Sequence, residues 1–61
     1  MTDEQYAEFV KLLDRALEAR DNLGWVLERG TAEELEAAEY KAGVTRSNVI
    51  LYVKSVTAPI A

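Results

Sequence analysis

The chain has 61 residues, with 7 Lys+Arg against 11 Asp+Glu for a formal charge of −4, and it lacks cysteine and histidine altogether. Those absences exclude disulfides, thiolate or imidazole metal ligands and His-dependent catalysis. At this length one core seldom supplies more than about 3–5 kcal/mol, so association is the remaining staple.

Thr2-Asp3-Glu4-Gln5 has the form of a capping box, with Asp3 and Glu4 at the positive end of a helix dipole. A first helix is predicted over about residues 3–28. At 100° per residue, Tyr6, Phe9, Val10, Leu12, Leu13, Ala16, Leu17, Ala19, Leu23, Val26 and Leu27 fill a sector of roughly 200°, where cover by one neighbour needs about 100°. Glu8–Lys11 and Arg15–Glu18 stand at ion-pair spacing. Gly24 lies inside the helix, faces the apolar sector and marks a place where the helix could bend. Trp25 falls on the polar side of a straight helix, so either the helix bends there or a partner covers the indole. Arg29 closes the last turn, and Gly30 is expected to take the left-handed C-cap conformation.

Thr31-Ala32-Glu33-Glu34 is a second capping box and opens a second helix, predicted over about residues 32–56. So short a connection makes the helices antiparallel neighbours. The predicted inner stripe of the second helix is Leu35, Ala38, Ala42, Val49, Val53 and Val56. Its small residues would receive Phe9, Leu13, Leu17 and Leu27. Tyr40, Val44 and Leu51 would lie on its outer side. Val49-Ile50-Leu51-Tyr52-Val53 is a β-favouring run, but a lone strand has no partner, so helix is preferred. Pro59 stops the helix and leaves 58–61 as a loose tail.

The expected fold is therefore all-α, a single antiparallel helical hairpin that self-associates into a helical bundle, most simply as a dimer. The flank of the first helix expected to stay open for the partner is Leu12, Ala19, Leu23 and Val26, with Arg20 and Trp25 completing the interface. Arg20 would either snorkel or pair with Glu36 or Glu39 across the hairpin or the subunit interface.

Enzyme chemistry lacks its parts: Ser47 and Ser55 have no histidine to activate them, and the glycines form no phosphate-cradling loop. No catalytic residue, cofactor, metal or small-molecule substrate is expected. No apolar run reaches the ~18 residues of a membrane span, and the acidic N-terminus shows no signal-peptide pattern, so a cytoplasmic protein is expected.

Ala42-Gly43-Val44-Thr45-Arg46-Ser47-Asn48-Val49 resembles the turn and recognition-helix start of helix-turn-helix DNA-binding proteins. The resemblance spans residues 38–54 and implies that Thr45, Arg46 and Ser47 contact bases while Lys54 lies near the backbone. The acidic charge argues against nucleic acid. In size and layout the chain also resembles the small hairpin proteins that regulate plasmid copy number. In length, acidity and helical content it is similar to small accessory proteins from the early operons of lambdoid phages. That likeness implies a regulatory adaptor acting on itself and on a host or phage protein, in the host cytoplasm.

Overall fold

A computed structural model of the chain describes residues 1–57; the tail expected at 58–61 lies outside them. Two helices make up the fold, α1 over Asp3–Arg29 and α2 over Ala32–Thr57, packed against each other as a hairpin. The Cα trace spans 46 × 22 × 10 Å, so the molecule is one helix layer thick. Both helices run within a residue of the predicted bounds.

The capping signals act as their chemistry dictates. The Thr2 amide donates to Gln5 Oε1 at 2.9 Å, and the Gln5 amide donates back to Thr2 Oγ1 at 3.1 Å. At the second helix the Thr31 amide donates to Glu34 Oε1 and the Glu34 amide to Thr31 Oγ1, each at 3.2 Å. Two orphan donors are satisfied reciprocally at each helix start, which fixes where α2 begins after so short a turn.

Gly30 departs from expectation. It adopts φ −91° and ψ 172°, an extended conformation open to any residue, and no residue in the described chain has positive φ. Space is what requires glycine here. Its amide donates to the Val26 carbonyl at 2.7 Å, and a Cβ would stand 2.6 Å from Val26 Cγ1 and 2.9 Å from that carbonyl oxygen. The connection turns this tightly only because that atom is missing.

The other two glycines bend nothing. α1 runs on through Gly24 and α2 through Gly43, and a Cβ at either would meet no other atom within 4 Å. The turn that the helix-turn-helix resemblance places at Gly43 is therefore not there. Intrahelical hydrogen bonding over a full-length antiparallel partner outweighs the roughly 1 kcal/mol a mid-helix glycine costs. The β-favouring run is likewise helical throughout.

The seam between the helices follows a heptad rhythm. On α1 it runs through Phe9, Leu12, Ala16, Ala19, Leu23 and Val26, and on α2 through Leu35, Ala38, Ala42, Thr45, Val49, Tyr52 and Val56, with Val10, Leu13 and Val53 half-buried beside it. Both rows alternate steps of three and four, the spacing that keeps one stripe against a partner along the full length of two helices. Ala19, Val26 and Ala38, at 3%, 6% and 5% exposure, are the buried residues, and no large side chain is fully buried among those described. Four alanines, Ala16, Ala19, Ala38 and Ala42, occupy the middle of this seam. Small residues there let the backbones approach closely but bury little apolar area.

Candidate interaction surface

That choice of seam decides which side chains stay outside. The flank expected to be open, Leu12, Ala19, Leu23 and Val26, is the one α2 covers: Ala19 and Val26 are buried, Leu12 and Leu23 half-buried. The open flank is the other half of the sector. Tyr6, Leu13, Arg20 and Leu27 stand seven residues apart in one row, with Val10, Leu17 and Gly24 in the row beside it. Leu17 keeps 50% of its surface exposed and Leu27 62%, so of the four bulky side chains expected to fill the seam these two lie outside it, while Phe9 and Leu13 are half-buried. Tyr6 is also exposed, its ring tilted against Phe9 with centroids 6.5 Å apart.

α2 contributes to the same face of the hairpin. Ala16, Leu17 and Arg20 line a shallow groove with Ala42 and Arg46. Glu39 and Val53 lie seven residues to either side of Arg46 and so share its row; exposed Ile50 follows one turn beyond Arg46. This face therefore carries the exposed side chains Tyr6, Leu17, Leu27 and Ile50, with Leu13 and Val53 half-buried at its inner edge, interrupted by Arg20, Arg46 and Glu39.

The opposite face is polar. Arg15, Glu18, Asn22, Lys41 and Thr45 line its central groove around Ala19. Glu8 and Lys11 form the one ion pair among the described residues, at 3.6 Å, whereas Arg15 and Glu18 do not pair. Trp25 sits toward this side, 55% exposed, in a groove with Asn22, Val26, Glu34 and Lys41. The Arg29 guanidinium lies 5.9 Å from its ring centroid, a cation–π contact one turn along the helix. Trp25 is thus on a different surface from Arg20, and the six residues read as one interface divide among the seam, the apolar face and the polar face.

Arg20 pairs with neither Glu36 nor Glu39 within the hairpin; its groove neighbour is a second arginine, Arg46. The residues assigned to base contact also separate. Thr45 is half-buried in the seam, its hydroxyl donating to the Lys41 carbonyl at 2.8 Å and the Ala42 carbonyl at 3.1 Å. Arg46 lies on the apolar face, Ser47 on the outer side with Tyr40 and Val44, and Lys54 in the last turn of α2. No single surface presents Thr45, Arg46 and Ser47 to a groove of DNA.

Among the described residues no cluster of acidic side chains is placed to hold a metal ion, and no helix is long and apolar enough to cross a membrane. What sequence inspection missed, Ile50 as a member of the open face, was signalled by its seven-residue spacing from Gly43; Val53, expected on the inner stripe, is half-buried. Comparison with protein families, curated proteins and solved structures finds no match, and no family is assigned to the chain.

Proposed function

We propose that this is a non-enzymatic helical interaction protein that works as a homodimer, formed by two hairpins packing their apolar faces into a four-helix bundle. One observation carries the reading: among the described residues nothing larger than a valine is buried, while Tyr6, Leu17, Leu27 and Ile50 stand exposed on or beside one face. A lone hairpin so thinly cored would be marginal at this length, and a second copy supplies the apolar cover that cysteine and metal cannot. The face offered is 46 Å by 22 Å, which is on the order of the ~800 Å² per partner of a standard interface. Its setting is the cytoplasm, and its remaining exposed aromatics, Trp25 and Tyr40, are free for contact with a further protein.

The test is Leu17→Glu. In sedimentation equilibrium the substituted chain is expected to be monomeric at concentrations where the natural chain is dimeric. Equal mass for the two would refute the proposed face.

A further inference from the structure

We infer that the exposed outer edge of α2 is a second self-association surface, separate from the face just proposed, on which α2 of another copy packs antiparallel.

α2 carries two stripes with the same three-four spacing. One is the seam against α1. The other is Tyr40, Val44, Ser47 and Leu51, continued by Ala37 and Lys54 at its ends, along the side turned away from α1. All six residues are exposed, Tyr40 at 75% and Leu51 at 63%. A helix that had only α1 to cover would need one stripe; the second sets a tyrosine, a valine and a leucine in water along one line.

The charges of α2 select the occupant. Glu33, Glu34, Glu36 and Glu39 stand in its first eight residues, which hold no basic side chain, and Lys41, Arg46 and Lys54 follow in a stretch with no acidic one. The helix dipole accounts for Glu33 and Glu34 in the first turn and Lys54 in the last, but its effect does not extend to Glu36, Glu39, Lys41 and Arg46. A helix segregated in this way is complementary to a second copy of itself running the other way.

The stripe has the same property. Its steps of four, three and four read alike from either end, so a two-fold axis midway between Val44 and Ser47 sets Tyr40 against Leu51 of the copy and Val44 against Ser47. Lys54 then stands level with Ala37 of the copy, within about 6 Å along the axis of Glu33, Glu34 and Glu36. Arg46 is near the axis but lies off the stripe, on the apolar face. Parallel pairing instead aligns those glutamates with themselves and Lys54 with Lys54, so like charges meet at both ends. The antiparallel two-fold runs normal to the hairpin layer. Both apolar faces therefore end on the same side, in a layer four helices wide, whereas parallel pairing turns them to opposite sides. The contact is one helix wide and about 26 Å long from Ala37 to Lys54. It is smaller than a standard interface, so it forms at higher concentration than the face-to-face dimer.

Tyr40→Glu alters the stripe and leaves the seam untouched. At roughly 1 mM the natural chain is expected to sediment above twice the single-chain mass, and Tyr40→Glu to stay at the dimer. A natural chain already dimeric at roughly tens of micromolar that gains nothing more by 1 mM overturns the edge contact, as does an equal gain for both chains. Direction is read by exchanging charges at low salt. Lys54→Glu is expected to weaken this second step about fivefold, and Lys54→Glu combined with Glu36→Lys to restore it. In a parallel pair each substitution meets its own copy, so failure of the combination to recover overturns the antiparallel pairing. The two surfaces fail separately. A natural chain that is monomeric at tens of micromolar, yet gains mass at 1 mM only while Tyr40 is present, overturns the face and upholds the edge; a monomer throughout overturns both.

Discussion

Gly30 shows how one missing methyl group sets the connection between the helices. Its extended backbone demands nothing special, but Val26 occupies the space a Cβ would need. Gly30→Ala is therefore expected to lower stability by about 1–3 kcal/mol through overpacking, read as a fall in the urea midpoint at unchanged slope. Gly43→Ala should do the reverse. Nothing lies within 4 Å of the added atom, and the helix interior gains up to about 1 kcal/mol. A sequence reader sees three glycines and assigns each a conformation, yet the two mid-helix ones need none and the loop one is held by sterics. Thr31 behaves as the sequence says. Its hydroxyl and Glu34 close a reciprocal cap, so Thr31→Ala is expected to cost about 1 kcal/mol in the same titration.

The helices themselves were legible because both starts carry capping boxes and the stop at Arg29-Gly30 is immediate. Less legible was which half of the wide α1 sector faces α2. A wheel at 100° per residue shows the width of an apolar sector but does not rank its halves. The deciding signal is the three-four alternation shared by Leu12-Ala16-Ala19-Leu23-Val26 and Leu35-Ala38-Ala42-Thr45-Val49, with alanines in the middle of both rows. Size alone pointed the other way, toward bulky α1 leucines filling a small-residue stripe. The structure instead buries Ala19, Val26 and Ala38 most deeply and leaves Leu17 and Leu27 outside. Ala38→Leu tests that packing: although it adds apolar volume, it should destabilise the hairpin by about 1–3 kcal/mol in thermal or urea unfolding, because the backbones are too close to admit it. A rise in stability would mean that the seam is looser than the buried Ala19, Val26 and Ala38 indicate.

At the scale of the molecule, a layer one helix thick cannot bury a core by itself. Its two broad faces differ, one with Arg15, Glu18, Asn22 and Lys41, the other with exposed Tyr6, Leu17, Leu27 and Ile50. In the proposed dimer folding and association are linked, so apparent stability is expected to depend on protein concentration. The charge of −4 opposes close approach of two copies in general, which would give Arg20 and Arg46 on the face proposed for the dimer more weight than their number suggests. Arg20→Glu is expected to weaken the dimer by about tenfold at low salt, with the difference shrinking as salt is added. Sedimentation equilibrium of the unaltered chain tests the central claim most directly. At roughly tens of micromolar the chain is expected to sediment at twice its 6.8 kDa mass, and a species at the single-chain mass under those conditions would contradict the account.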